Sequence, residues 1–183
     1  MKYSLSWLQS EIEKSKHFEY LFFWGHTLKK KGEIDKSCFS QWYPSAFIID
    51  GVTYATAEHW MMAKKALLFG DEEIFQQIIA AEKPAVAKAL GREVRNFDPE
   101  VWNQSAYEIV VEGNQHKFTQ NEELKKFLIT TKDKVLVEAS PADAIWGIGL
   151  SQESEAATNP FRWRGTNLLG FALMEVRDKL KLV

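Results

Sequence analysis

Helical patterns outnumber strand patterns in this chain, which predicts a helix-dominated domain with a few short strands. Three observations carry that expectation. Thr56 is a side-chain acceptor placed before a stretch, Ala57 to Phe69, that holds no helix breaker until Gly70. Helical periodicity returns four times between Asp71 and Thr130 and closes the chain from about Leu168 to Leu180. Strand signals are confined to two β-rich runs around Asp50-Gly51 and to one short apolar run at 136–139. With 183 residues, 45% apolar and 26% charged, the chain is the size of one ordinary domain able to bury a core.

In chain order, Leu5, Leu8, Ile12 and Phe18 are spaced loosely as an amphipathic helix, read as an accessory element over residues 1–20. Phe39 to Pro44 reads as an irregular loop. Phe47-Ile48-Ile49, the turn Asp50-Gly51 and Val52-Thr53-Tyr54 form a hairpin that leads into the helix capped by Thr56. Helices follow over Asp71–Ile79, over Pro84–Leu90 with Gly91 as the C-terminal cap, over Pro99–Phe118 and over Glu122–Thr130. Leu136-Val137-Glu138-Ala139 fits a buried strand. The stretch from Trp146 to Asn167 reads as a long loop, a length usually kept for function, and it holds Trp146 and Trp163.

Composition narrows the function. A net charge of −2 argues against a protein held on a duplex mainly by phosphate neutralisation. The single cysteine, Cys38, excludes an internal disulfide and a cysteine-based metal site. With no apolar signal-like start and no run of membrane-spanning length, a soluble, cytoplasmic chain is expected, with no membrane partner.

The candidate residues each have an ordinary reading as well as a functional one. Glu58 stands in a first helical turn, where the macrodipole favours any acid. His59 follows Glu58 in the wrong order for H-E-x-x-H, and Ala55 breaks the inverted motif, so no protein-ligated metal is expected. Trp146-Gly147-Ile148-Gly149 falls short of a dinucleotide loop because Gln152 stands where the third glycine belongs. Asp143 suits either a site shared with Trp146 or an Asx-type cap. Arg92 suits a phosphate or the open surface, and Trp102 in a helix is by default core.

Several separated blocks, taken together, are more specific. These are D-G-x-x-Y-x-T-A-E-H-W-M-x-x-K-K-A from Asp50, G-R at 91 and 92, Trp102, Lys117-Phe118, L-V-E-A-S-P-x-D-x-x-W-G-I-G-L from 136 to 150, and N-x-L-G-x-x-L-M-x-x-R from 167 to 177. In this order they resemble the NADAR family over about residues 20 to 180, so residues 21–183 are read as that domain. The first 20 or so residues have no match in the pattern, and Ser140-Pro141 and the stretch from Ser151 to Trp163 fall where members of the family vary.

The resemblance implies an α+β fold, helix-dominated with a few short strands, and cleavage of an N-glycosidic bond between a ribose and a base-like nitrogen. One branch of the family is similar to enzymes that hydrolyse phosphorylated ribosylaminopyrimidine intermediates of riboflavin biosynthesis. Another looks like ADP-ribosyl hydrolases that remove ADP-ribose from guanine bases, which would make a guanine-containing nucleic acid the substrate. A third reading, from a different class, is a non-catalytic sensor of ADP-ribose or a related nucleotide. No cofactor is implied, and the oligomeric state is open.

Cleavage of a C1′–N bond passes through an oxocarbenium-like state, so carboxylates and an aromatic platform suit it. Glu58 and Asp143 are the candidate carboxylates, and Lys65 offers a second chemistry, attack on C1′ to give an imine. Substrate binding is assigned to Arg92, Trp102, Trp146, Gly147 and Asn167, with Arg162 and Arg164 as alternative phosphate contacts to Arg92.

Overall fold

The Asp50-Gly51 turn shows how directly local sequence sets this fold. In a computed structural model describing residues 1–28, 30 and 32–182, Asp50 and Gly51 both take positive φ, 50° and 79°. That is the geometry of the tight hairpin turn that matches strand twist. It joins β2 (Phe47–Ile49) to β3 (Val52–Tyr54), antiparallel with Phe47 opposite Tyr54. On the free edge of β2, the Gln120 amide accepts from Ile48 N–H and donates to Ile48 C=O, both at 2.8 Å. A side chain thus takes the place of a missing strand.

The hairpin belongs to one of two compact units, residues 41–122. It feeds α2 (Ala57–Leu68), followed by α3 (Glu72–Ala80), α4 (Pro84–Arg92) and the long α5 (Pro99–Gln120). Trp60 of α2 anchors the core: its ring meets Tyr54 edge-on at 5.0 Å and its indole N–H donates to Ile109 C=O at 2.7 Å. It fits because Gly113 lies beside it, where a Cβ would come within 2.2 Å of the indole. Asp71 caps α3 and accepts from the Arg95 main chain and guanidinium, so its carboxyl is held well below the usual range, chiefly by the Arg95 side chain.

The other unit comprises residues 1–40 and 123–183. It contains α1 (Leu5–Glu13), β1 (Tyr20–Phe23), α6 from its second residue onward (Glu122–Thr130), β4 (Val135–Glu138) and α7 (Leu168–Lys181). β1 and β4 pair in parallel, with Tyr20 opposite Val135 and Phe23 opposite Glu138. β4 is buried along its first three residues and packs against α7, as a strand covered on its faces must.

The helix-dominated α+β architecture agrees with the sequence reading, and the hairpin lies where expected. Three details differ. Gly91 is inside α4, not at its cap, and its lack of a side chain serves a close approach to Met62 instead of a helix end. β1 has no sequence forecast, since Tyr20 to Phe23 is a short aromatic run beyond an amphipathic stretch. Phe18 lies beyond α1, which ends where Ser15 enters the left-handed region. Among the described residues no helix is long and apolar enough to cross a membrane.

Candidate active site

The α2 helix places Glu58 and Lys65 seven residues apart, about 10 Å of axial rise. Glu58 is buried, 5% exposed, and its own N–H donates to Gln41 C=O at 2.9 Å. Its position in the first turn puts the carboxylate where the helix dipole favours negative charge. His59 beside it is fully engaged in structure: Nδ1 lies 2.8 Å from Thr56 Oγ1 and Nε2 lies 3.0 Å from Ala81 C=O. A carbonyl only accepts, so Nε2 carries the proton and Nδ1 receives the threonine hydroxyl. Burial pushes the imidazole pKa down against the opposing pull of that carbonyl.

Lys65, at the other end of α2, is half-buried among aromatic rings and one carbonyl. Its Nζ donates to Gly91 C=O at 2.7 Å and lies 4.0 Å from the Phe97 ring centroid and 5.7 Å from that of Trp102. Desolvation lowers its pKa below the ordinary lysine value, so more of the amine is neutral near neutral pH than for a surface lysine. Gly91 makes the arrangement possible. A Cβ there would sit 2.1 Å from Met62 Sδ, so only glycine lets α4 approach α2 closely enough for its carbonyl to reach Lys65. Arg92 follows at the exposed end of α4. Sequence reasoning missed Phe97. It lies in the connection after α4, outside any periodic pattern, and a lone aromatic in a loop carries no spacing signal.

The late loop is organised differently. Asp143 Oδ1 accepts from the N–H groups of Ile145 and Trp146, at 2.9 and 2.8 Å, the Asx-type cap weighed as its ordinary use. Asn167 is fully buried at the start of α7 with φ 55°; its Oδ1 accepts from Glu138 N–H and its Nδ2 donates to Leu136 C=O, both at 2.9 Å. Gly147 lies against Glu138 C=O and Asp143 C=O, and a Cβ on Gly165 would come within 2.4 Å of Gly147 C=O. Trp146 is half-buried, and Trp163 is tied by its indole N–H to Ala157 C=O at 2.7 Å. Lys65 and Trp102 are thus brought together with Phe97, and Glu58 shares the α2 helix with Lys65. Asp143, Trp146, Gly147 and Asn167 are gathered in the loop after β4 and at the start of α7.

Comparison with known proteins gives a consistent result. The NADAR domain model matches residues 22–181. The chain is 44% identical to N-glycosidase R617 of Acanthamoeba polyphaga mimivirus, across 88% of this chain and 96% of that one. It is 31% identical to N-glycosidase YbiA of Escherichia coli strain K12, across 81% and 82%, and 35% identical to protein irg-1 of Caenorhabditis elegans, across 78% and 74%. The NMR structure of E. coli YbiA superposes with a TM-score of 0.70 at 26% identity, covering 91% of this chain and 88% of that one.

Proposed function

The chain belongs to the NADAR family and is an N-glycosyl hydrolase, and we propose that it cleaves the C1′–N bond of a phosphorylated riboside, of the ribosylaminopyrimidine type. The observation that carries this reading is Lys65: a desolvated amine, fixed by one carbonyl, under two aromatic rings, on the helix that also carries buried Glu58.

Neutral Lys65 donates one N–H to Gly91 C=O, which orients the lone pair on Nζ. That pair bonds to C1′ as the C1′–N bond breaks, and the bonding electrons leave with the base, which takes up a proton. Loss of a proton from Nζ and opening of the sugar ring give an imine; water then hydrolyses it, releasing ribose phosphate and the free amine. Positive charge builds on the sugar during departure, and the Glu58 carboxylate is the group to stabilise it. Trp102 supplies a flat surface for the base, and Arg92 the planar fork for the phosphate. Asp143, Trp146, Gly147 and Asn167 take supporting parts, by shaping the loop that carries Trp146.

A mass-spectrometric product assay tests this. Wild type and Glu58→Gln are given the ribosylaminopyrimidine phosphate, ADP-ribosylated guanosine and NAD. The reading predicts cleavage of the first by wild type and its loss in a folded Glu58→Gln. Cleavage of ADP-ribosylated guanosine alone would transfer the assignment to the ADP-ribosyl hydrolase branch, and binding without turnover of any of the three would favour a sensor.

A further inference from the structure

The unit that holds α1 and α7 contains a half-open cavity of about 540 Å³, large enough for a nucleotide-sized ligand. Its wall includes the rings of Tyr3, Trp7 and Phe18. Trp7 meets Tyr3 edge-on at 4.7 Å and Phe18 edge-on at 5.8 Å, so the three form one aromatic surface. All three come from residues 1–21, ahead of the stretch matched by the family model.

The charges on the wall are unevenly satisfied. Each acid already has a partner: Glu19 is paired with Lys134 at 3.0 Å, Asp133 with Lys181 at 3.3 Å, and Asp178 with Lys2 and the Tyr3 hydroxyl. Lys16 is held by Glu11. Arg177 is different. It is 2% exposed, its recorded hydrogen bonds both leave from Nη1, to Thr131 Oγ1 and Lys134 C=O, and its buried Nε has no acceptor. Neither Arg177 nor Lys132, also on the wall, is in an ion pair among the described residues. Asp178 and Asp133 act on this guanidinium only through space, with no carboxylate hydrogen-bonded to it, so its buried Nε has lost hydration without gaining an acceptor, a cost that an anion's oxygen would relieve.

We infer that this cavity is a second binding site, for a small organic phosphate with a planar ring. The phosphate sits at Arg177 and Lys132, and the ring lies along Trp7 and Phe18. Arginine suits the anion because its planar donors match phosphate oxygens, and the indole offers the stacking face. The first 20 residues thereby gain a role, since they carry all three rings of the aromatic wall. The inference does not depend on which riboside the enzyme cleaves.

The test uses the full chain and adenosine monophosphate as the probe, with adenosine and inorganic phosphate as partial probes. Calorimetry is expected to show one site for the monophosphate that persists in Lys65→Ala, is at least ten-fold weaker for either partial probe, and weakens at least ten-fold in Lys132→Glu and in Trp7→Ala. Because Trp7→Ala removes the ring contacts with Tyr3 and Phe18, Lys132→Glu, at an exposed position, keeps the test decisive if the first variant misfolds. A second readout is the ¹⁵N–¹H resonance of Arg177 Nε, assigned by its loss in Arg177→Lys, which should shift on saturation. No binding at millimolar concentration, binding unchanged in Lys132→Glu, or binding abolished by Lys65→Ala would each overturn the inference.

Discussion

The helix α2 and the loop after β4 carry the two most distinctive sequence blocks of this chain, yet they use their polar residues in opposite ways. In the loop, Asp143 Oδ1 and both amide atoms of Asn167 are spent on main-chain partners, and its glycines serve close backbone contacts. On α2, Lys65 is given one carbonyl and two ring faces and, among the described residues, no ion pair, while desolvation by burial lowers its pKa. Similar residue types thus specify architecture in one region and reactivity in the other. Only the partners of each atom tell them apart.

The largest effect that would break this contrast is a variant of Lys65. Lys65→Ala is expected to cut turnover by about 10³-fold or more while leaving the circular-dichroism spectrum and unfolding midpoint close to wild type. Asn167→Ala should do the reverse. It orphans Leu136 C=O and Glu138 N–H in the core, so urea unfolding should show a loss of about 2–4 kcal/mol, with turnover per folded molecule changed little by comparison. If Asn167→Ala abolished turnover at full stability, the loop would have to be counted as chemical.

The contrast extends to pH. Activity limited by the free amine of Lys65 should rise with pH on an acid limb whose apparent pKa lies below 10.5, the ordinary lysine value. His59 supplies a stability signature instead. Its folded pKa is depressed by burial, so between that value and the unfolded 6.5 the unfolded chain binds more protons. Stability should therefore fall as pH drops below about 6.5 and be level above it, and His59→Gln should remove that slope in unfolding free energies measured from pH 5 to 8. Phe97→Leu is expected to have the smallest effect. It keeps apolar cover but removes the ring face, so the protonated amine loses support, the acid limb moves to lower pH, and turnover at neutral pH changes by only a few-fold.

Much of this was legible in the sequence because it is local. A side-chain oxygen before an unbroken run places the start of α2, and two residues tolerant of positive φ place the hairpin. The spacing of Glu58 and Lys65 on one helix follows from the helical period alone. What could not be read depends on contacts distant in the chain. β1 is a strand because β4 pairs with it across more than a hundred residues, and four aromatic or aliphatic side chains carry no sign of that. Gly91 looks like a helix terminator until the sulfur of Met62 is found against it. Phe97 and the unpartnered Nε of Arg177 are likewise visible only once the chain is folded, since neither residue type nor spacing says which donors find acceptors.

The most direct test of Lys65 as the reactive group is borohydride trapping during turnover of the ribosylaminopyrimidine phosphate, read by peptide mass spectrometry. The account predicts a reduced ribose-phosphate adduct on the peptide containing Lys65, absent without substrate. Brisk cleavage that leaves no adduct, or an adduct on another lysine, would contradict it.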